Sequence, residues 1–533
     1  MNELQILTPR VTDGWEVSES GISIDGKVAC SYPIGIKKRY INLDTGVEKV
    51  ELTWKKQGVW KSVIIPASQY GQPRELQKLS DLGLNLTIDM AKLLSDYLAT
   101  LYDLNIADIP VCNSVGRLGW IADGVFSPYV DSVSFDGGAE YEPIYNALKP
   151  KGTLDGWIEA AKQFRQQSMA ARIVLAASFA SVLVKPLGAL PFFVHLWSTT
   201  SGTGKTVALT AAASVWANPE MGLYLKTFDG TDVGFERMAA FLNSMPLCID
   251  ELQLAKGRTG QVKFNPYKLA QGAGRIRGTK TGGMDVTPTW ANAILTTGET
   301  PLTSLSSGAG AINRVIEIEI PDGEQVCSNG HDVAQAFKSD YGHAGRAFVE
   351  ALSKDGELDR VRQVYNIAFE ILNAGTTTDK QASSAALLVA ADDLATRLFF
   401  NDNLDLQPDD IAKYLADKES VSTGARAYNF ICDWIVQNSN RLNPMEGMGD
   451  IYGDYQHGDE YAYIIATVFD NALDNAGFNP KAVRSYLKSK ELCKIGNDGK
   501  TSIVRRCNGA STRCVAVKLP FSVTDATPSV TEV

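Results

Sequence analysis

A short run around Lys205 has the residue types and spacing of a phosphate-binding loop. The sequence Ser-Gly-Thr-Gly-Lys-Thr at 201–206 follows an apolar run at 191–196 and precedes an Ala-rich segment at 207–217. A buried strand, a tight glycine-containing loop and a helix form the setting in which backbone N–H groups surround a phosphate. The usual pattern begins with glycine where this chain has Thr199, and the alternative is a chance Gly-Lys-Thr in a surface loop.

The loop predicts a nucleotide site with ATP and Mg²⁺ as its cofactors. We expect Lys205 to neutralise the β- and γ-phosphate oxygens and the hydroxyl of Thr206 to bind the metal ion. The residues expected to surround the phosphates are Thr200, Ser201, Gly202, Thr203, Gly204, Lys205 and Thr206.

A second apolar run, at 245–249, ends in Asp250 and Glu251. At the end of a strand beside the phosphate loop, Asp250 is expected to hold the Mg²⁺ shell. Glu251 is expected to act on the attacking water, as general base or as the group that orients it. An apolar run ending in Asp-Glu also occurs in ordinary core strands. Its place behind a phosphate loop, in the same α/β unit, favours the catalytic interpretation.

Two further positions extend this site. The apolar run at 290–299 ends in polar residues, and its Thr297 or Thr296 is expected to place a hydroxyl near the γ-phosphate. Arg314 comes immediately before an alternating strand at 315–320. An arginine there can reach a neighbouring subunit's γ-phosphate and stabilise charge in the transition state. The alternative is a strand-entry arginine paired with an acidic neighbour.

A glycine-rich, basic stretch at 272–283 lies between the two predicted core strands. Its glycines permit a tight hairpin, and Arg275, Arg277 and Lys280 would bring positive charges to phosphates of DNA. The alternative is a solvated loop whose charges only aid solubility.

The composition limits the class of protein. With 533 residues and 44% apolar content, the chain has the size for about three or four domains with a sizeable core. The net charge of −10 confines nucleic-acid contacts to local basic patches.

The N-terminus lacks a signal peptide and the apolar stretch at 173–184 is too short to span a bilayer, so we expect a cytoplasmic protein without membrane contact. The eight cysteines form no CxxC pair and predict free thiols, and the four scattered histidines disfavour a nuclease.

The order of predicted elements indicates an α/β protein. Short alternating segments at 1–80 predict an antiparallel β-rich domain, and a helical and β connector follows at 81–160. The ATPase core is expected at 161–330 and a helical lid at 331–404. Residues 405–523 combine a helical linker with a helix, turn, helix and hairpin, which is typical of a winged helix. The tail at 524–533 is polar and predicted to be disordered.

The winged helix carries a basic face although the chain as a whole is acidic. Lys488, Arg505 and Arg506 are its predicted DNA contacts. Many winged helices bind proteins instead, and that alternative stays open. Arg117, in a short β element, is interpreted as a salt-bridging surface residue.

Taken in this order, the motifs resemble an AAA+ ATPase of the helicase kind. More narrowly, the chain resembles the domain-of-unknown-function nine-two-seven family, which comprises helicases of phages and mobile elements related to the minichromosome-maintenance helicases. The matching stretches are Trp60 with 64–66, 117–120, 201–206, 246–251, 296–299, 313–315 and 341–345.

The resemblance implies a hexameric ring with ATP sites between subunits. Lys205, Thr206, Asp250 and Glu251 would serve one face of each site, Arg314 would come from the adjacent subunit, and the hairpin would line a DNA channel. Family members often carry a lid arginine where this chain has Lys380-Gln381-Ala382. Lys380 or Arg346 would then be the second sensor, and the sequence leaves this open.

The leading hypothesis is an ATP-dependent DNA helicase or translocase that acts in the replication of a mobile element or phage. Its expected partners are single-stranded or forked DNA, further copies of itself and a primase or initiator. The alternative is an ATP-dependent regulatory or remodelling switch, such as a defence or loader ATPase, that acts on protein. An inactive nucleotide-binding scaffold is disfavoured by Lys205, Asp250 and Glu251.

Overall fold

The fold is given by a computed structural model that describes residues 14–121, 124–255, 264–278, 283–442, 450–455, 459–507 and 509–520. Lys280 and the predicted disordered tail lie outside these residues.

Two sheets form an N-terminal β-rich region. The smaller sheet has three antiparallel strands, Trp15–Ser18, Gly21–Ile24 and Lys27–Cys30. The larger sheet has five strands in the spatial order Val133–Phe135, Val111–Val115, Ile34–Asn42, Glu48–Lys56 and Val59–Pro66. Helix Ile88–Asn105 covers them, and its Leu94, Tyr97 and Leu98 are fully buried.

The larger sheet is mixed: its strands within residues 1–80, which the sequence predicted to be antiparallel, pair antiparallel, and its two further strands come from the predicted connector. Val111–Val115 runs parallel to both of its neighbours, Val133–Phe135 and Ile34–Asn42. The other two pairs are antiparallel. The parallel pairs arise because the chain returns to this sheet after helix Ile88–Asn105, and crossover connections through a helix produce parallel pairs.

A five-stranded parallel sheet forms the centre of the chain. Its spatial order is Lys226–Thr227, Leu247–Asp250, Ala293–Gly298, Phe192–Trp197 and Val315–Glu319. The three middle strands are almost entirely buried, as expected for parallel strands covered on both faces. Because all five run the same way, residues at their carboxyl ends meet at one edge of the sheet.

Helices cover this sheet and continue into a helical region. The helices closest to the sheet in sequence are Leu154–Arg165, Met169–Ala180, Lys205–Ser214 and Asp232–Leu242. The later ones are Gly330–Ser339, Ala344–Leu352, Glu357–Asn373 and Asp379–Ala395, the last of which ends in a π-helical turn, Thr396–Phe400. Fully buried Arg165 joins the two groups by donating to the Asp392 carboxylate at 3.0 Å.

The C-terminal region is a helix-turn-helix domain with a small sheet. Its main helices are Thr423–Gln437, Ala466–Asn475 and Pro480–Ser489. The sheet has the strand order Gly453–Asp454, Tyr461–Ile465, Ala510–Lys518 and Ser502–Cys507. The last two strands form the predicted hairpin.

Arg426 fastens this domain to the central one. It is 9% exposed, and its guanidinium donates to the carbonyl oxygens of Leu305 and, at 2.6 Å, of Ser307. The loop that it holds leads directly into the short helix Ala309–Ile312 and then Arg314.

The remaining elements are short. The helical ones are Ala67–Tyr70, Pro73–Gln77, Lys78–Leu82, Ala139–Tyr141, Glu142–Ala147, Ser181–Leu183, Leu252–Ala255, Pro266–Leu269, Pro408–Ala412, Lys418–Val421 and Ser439–Leu442. Strands Gly119–Trp120 and Phe126–Ser127 pair with each other. Arg117, just before them, donates to Asp44 at 2.6 Å, which agrees with its interpretation as a salt-bridging residue.

The cysteines are free thiols, as predicted. Within the described residues, no group of three or more histidine, cysteine or acidic side chains is placed to hold a metal ion. The described helices include none that is both long and apolar enough to cross a bilayer.

Candidate nucleotide-binding site

A cavity of about 600 Å³ opens at the carboxyl edge of the parallel sheet. This volume lies within the usual range for sites that take a small molecule or cofactor. Its lining contains Ser201, Gly202, Thr203, Gly204, Lys205, Thr206, Asp250, Glu251 and Thr297. Of the residues predicted to surround the phosphates, only Thr200 is outside this lining.

The loop at 201–206 depends on two glycines with positive φ. Gly202 has φ +75° and Gly204 has φ +88°, values that favour glycine. A Cβ on Gly204 would also lie 3.1 Å from the sulfur of Cys327, so a side chain there would have to displace Cys327 by a few tenths of an ångström. Thr199 is not among the residues with positive φ, which explains why the loop accepts threonine at the position where the usual pattern has glycine.

The ammonium of Lys205 lies in the mouth of this loop. Its Nζ donates to the carbonyl oxygen of Thr200 and to the hydroxyl of Thr203, each at 3.0 Å. Burial lowers the pKa of Lys205, and the nearby carboxylates of Glu299 and Asp250 act in the opposite direction. A polyanion bound in the loop would stabilise the charged form further.

Asp250 is hydrogen-bonded both to the phosphate loop, at Thr206, and to the end of the neighbouring strand, at Thr297. It is 2% exposed and accepts from Thr206 Oγ1 at 2.9 Å through Oδ2, and from the Thr297 hydroxyl through Oδ1. The backbone N–H of Glu251 donates to the same Oδ1 at 3.1 Å and to Thr297 Oγ1 at 3.2 Å. A hydroxyl and a carboxylate in contact are oxygen ligands of the kind that Mg²⁺ takes, so Thr206 and Asp250 fit the ion.

Glu251 is held in an unusual backbone conformation. Its φ is +64°, which is uncommon for any residue other than glycine and clusters at functional sites. The side chain is exposed and lines the cavity. Its carboxylate is therefore available to a water molecule in the cavity, while its backbone is fixed by Asp250 and Thr297.

The structure separates the two threonines that the sequence left as alternatives. The Thr296 hydroxyl is 2.8 Å from Nδ1 of His195, and Nε2 of His195 is 2.9 Å from the carbonyl oxygen of Thr300. Because the carbonyl must accept, Nε2 carries the proton and Nδ1 accepts from Thr296. Burial lowers the pKa of His195 to about 4, so the ring is neutral at physiological pH. Thr296 thus faces the neighbouring strand, and Thr297 faces the cavity.

Arg314 lies outside the cavity of its own chain. It is half-buried, and its Cζ is 5.2 Å from the ring centre of Tyr267. Its Nε and Nη1 are buried without a hydrogen-bond partner among the described residues. The alternative of a strand-entry arginine paired with an acidic neighbour is therefore not seen in the part of the chain that is described.

Neither candidate for the second sensor lines the cavity. Arg346 is exposed and pairs with Glu350 at 2.8 Å. Lys380 is exposed at the start of helix Asp379–Ala395. Both stay open as predictions.

The basic hairpin is partly neutralised. Arg277 donates to Glu236 at 2.6 Å, and that carboxylate is 3% exposed, so Arg277 serves to fix the hairpin to helix Asp232–Leu242. Arg275 is exposed. The third predicted contact, Lys280, is not among the described residues.

The predicted basic face of the C-terminal domain is also partly neutralised, because one of its three predicted DNA contacts is paired with a carboxylate. Arg505 pairs with Asp454 at 2.6 Å and lies 3.8 Å from the ring centre of Tyr463. Lys488 and Arg506 are exposed. At 3.2 Å, Lys488 donates to the carbonyl oxygen of Gly499, just before the hairpin, and Arg506 donates to that of Gly509, in the hairpin turn. Their charges have no acidic partner among the described residues.

Sequence reasoning missed the far wall of the cavity. That wall contains Gln325, Cys327, Asn329 and His331. The segment reaches the loop because Val326 N–H donates to Thr203 at 2.8 Å and the Thr200 hydroxyl donates to Asp322 at 2.5 Å. No local pattern marks these residues, since their position depends on the path of the chain after strand Val315–Glu319. Glu299 also lines the cavity. The sequence feature that could have indicated it is its position at the polar end of the predicted strand at 290–299.

The fold defines a mixed α/β protein with a parallel central sheet and a C-terminal helix-turn-helix domain. The chain belongs to the family described as Domain of unknown function (DUF927), whose model matches residues 9–289, more than half of its length. A second model, described as Cch helix turn helix domain, matches residues 422–522.

Among solved structures, one described as "SCCmec type IV Cch - active helicase" is similar over 96% of this chain and 98% of its own, with a TM-score of 0.70 and 19% identity. Its fold therefore extends over nearly the whole chain. Two apo structures of the NrS-1 C-terminal region give TM-scores of only 0.31 and 0.30, at 9% and 10% identity, over 91% of this chain and 96% of each of theirs. No curated protein matches the sequence.

Proposed function

We propose that this protein is an ATP-dependent DNA helicase or translocase of a mobile element or phage. The observation that carries the proposal is the hydrogen-bonded set of Thr206, Asp250, Thr297 and Glu251 beside the loop of Lys205. In it, a hydroxyl and a carboxylate suited to Mg²⁺ lie next to an exposed carboxylate suited to act on water. The fold shared with the Cch helicase supports the choice of a helicase among ATPases.

In this proposal the central domain is a P-loop AAA+ core and the C-terminal domain is a winged helix. The core extends over 161–330, with the β-rich domain at 1–80, the connector at 81–160, the lid at 331–404 and the C-terminal part at 405–523. Bound Mg²⁺ would neutralise phosphate charge. Backbone N–H groups at 201–206 and Lys205 would hold the phosphates, Glu251 would take a proton from water, and Thr297 would hold Asp250 in place.

The charge of the cavity favours a site shared between two chains. Asp250, Glu251 and Glu299 bring three carboxylates to it, and Lys205 is the one lysine or arginine among its described lining residues. A triphosphate adds several negative charges, so stabilising the transition state calls for more positive charge than one lysine and Mg²⁺ provide. Arg314, half-buried and without an acidic partner in the described residues, is suited to supply it to the adjacent subunit. We infer a ring, with six copies by resemblance.

DNA is the proposed ligand of the hairpin and the helix-turn-helix domain. Arg275 on the hairpin, and Lys488 and Arg506 on the C-terminal domain, have exposed charges that are available to phosphates. Such contacts do not read sequence, which suits a motor that moves along a strand.

Strand displacement on forked DNA tests the proposal. We expect displacement with ATP, none with a non-hydrolysable analogue and none for Lys205→Ala. Lys354→Ala, at an exposed lysine that does not line the cavity, should behave as the wild type. A wild-type rate of displacement by Lys205→Ala would refute the assignment of the site.

A second function, an ATP-dependent switch that acts on protein, is favoured by one observation. The hairpin carries three strongly exposed apolar side chains, with Ile276 74%, Met284 80% and Val286 80% exposed. If DNA is the ligand, Arg275→Ala should weaken stimulation of ATP hydrolysis by DNA, whereas Arg360→Ala, at another exposed arginine, should not. Equal stimulation of both variants would exclude Arg275 from the DNA contacts, and no stimulation of the wild type by DNA would favour the protein-directed switch.

A further inference from the structure

Tyr267 occupies the space between the base of the hairpin and Arg314. It lies in the short helix Pro266–Leu269, and its ring centre is 5.2 Å from the Arg314 guanidinium carbon. The same ring covers Gly310, where an added Cβ would be 2.4 Å from Tyr267 Cε2. The ring therefore packs closely on the turn that leads into Arg314.

The helix that carries Tyr267 is fixed to the hairpin. Trp290, at the end of the hairpin, is 3% exposed, and its indole N–H donates to the carbonyl oxygen of Leu269 at 2.7 Å. Its backbone N–H donates to Gly272, at the start of the hairpin, at 2.9 Å. One bond joins the end of the hairpin to the helix, and the other joins the two ends of the hairpin to each other. We therefore expect a displacement of the hairpin base to move Tyr267 with it.

The backbone of Arg314 is fixed from the other side. Gln381 is fully buried, and its Nε2 donates to the carbonyl oxygens of Ile312 at 2.6 Å and Val315 at 2.9 Å. The Thr378 hydroxyl donates to Asn313 at 2.5 Å. The start of helix Asp379–Ala395 thus holds the main chain on both sides of Arg314. The guanidinium itself has no hydrogen bond to the described residues, and the Tyr267 ring is the aromatic group beneath it.

We propose that Tyr267 is a positioning residue that sets the Arg314 guanidinium according to the position of the hairpin. A cation over an aromatic ring is attracted to its face and keeps a preferred geometry without a directional bond. The contact lets the arginine follow the ring yet remain free to pair with an anion. The inference rests on the proposed function, in which Arg314 acts on the nucleotide of the adjacent subunit. It adds that DNA held by one chain's hairpin changes hydrolysis in the neighbouring site.

The test compares Tyr267→Leu, which removes the ring, with Tyr267→Phe, which keeps it. We expect Tyr267→Leu to lower DNA-stimulated ATP hydrolysis about five- to tenfold. Its DNA affinity and its assembly should stay near those of the wild type. Tyr267→Phe should retain the stimulation. Full stimulation of Tyr267→Leu would overturn the inference, and so would an equal loss in both variants.

Mixing variants separates an effect on the adjacent subunit from damage to the chain's own site. Lys205→Ala chains cannot hydrolyse ATP but offer an intact Tyr267 and Arg314 to a neighbour. Mixing them with Tyr267→Leu chains should raise DNA-stimulated hydrolysis above the sum of the two proteins alone. Absence of this gain would overturn the inference.

A parallel mixture tests the shared site on which the inference rests. Arg314→Ala chains mixed with Lys205→Ala chains should also regain activity. If that mixture gains nothing, the shared site of the proposed function fails, and the role of Tyr267 fails with it. If it gains activity while the Tyr267→Leu mixture does not, only the role of Tyr267 is refuted.

Discussion

Replacing Thr297 by valine tests the central hydrogen-bonded set directly. The hydroxyl donates to the Asp250 carboxylate and accepts from Glu251 N–H, and valine fills nearly the same volume without it. A hydrogen bond to a charged group is worth about 1.5–3 kcal/mol. At about 1.4 kcal/mol per factor of ten, its loss in the transition state corresponds to a roughly 10- to 100-fold lower kcat for ATP hydrolysis. Nucleotide affinity should change by less than about threefold, because the phosphate loop is untouched.

Steady-state ATP hydrolysis and binding of a fluorescent ADP analogue measure the two effects separately. Thr297→Ser keeps the hydroxyl and should retain most of the turnover. Thr300→Val, at an exposed threonine just beyond the strand, should have no effect. A wild-type kcat for Thr297→Val would refute the reasoning, and so would equal losses for the serine and valine variants, since the hydroxyl would then not be the relevant group.

Three further predictions follow from single positions. Gly204→Ala should weaken nucleotide binding at least about tenfold in a binding titration, because it places a methyl group against Cys327 at a residue with φ +88°. Gly188→Ala, at φ +67° in open space, should cost only about 1 kcal/mol of stability and leave nucleotide binding unchanged. The unfolding free energy should fall by about 2 kcal/mol between about pH 7.5 and pH 5, because the pKa of His195 is about 4 when folded and near 6.5 when unfolded. In this range the unfolded state binds a proton that the folded state does not. Denaturation of His195→Gln, followed over the same pH range, should lack this part of the pH dependence. Arg506→Ala should lower the slope of log binding constant against log salt concentration for DNA by about one unit. Arg505→Ala should lower this slope less, because Arg505 is already paired with Asp454. Equal effects of the two changes would contradict this.

The central strands were predictable because their signals are local. Phe192–Trp197 and Leu247–Asp250 are apolar runs that end next to the predicted site residues. In the sheet, Ala293–Gly298 lies between them and pairs with both. The C-terminal helix-turn-helix was readable for the same reason. Its helices Ala466–Asn475 and Pro480–Ser489 are separated by the turn signal at 478–480.

What the sequence did not reveal depends on contacts between distant segments. Ile34–Asn42 was not predicted as a strand, and its parallel partner Val111–Val115 comes from beyond a long helix. Arg277 was taken as a free charge, because its partner Glu236 lies on a different helix, 41 residues earlier. The choice between Thr296 and Thr297 likewise needed the position of His195 on the adjacent strand.

The contact of Arg426 with Leu305 and Ser307 has a consequence for how fragments of this protein are designed. A fragment that stops before residue 422 loses the guanidinium that caps Leu305 and Ser307, and those carbonyl oxygens pass to water. The loop ahead of Arg314 then loses an anchor that belongs to another domain. Activity measured on such a fragment would come from a chain in which the segment before Arg314 is less constrained, so comparison with the intact protein requires the whole chain.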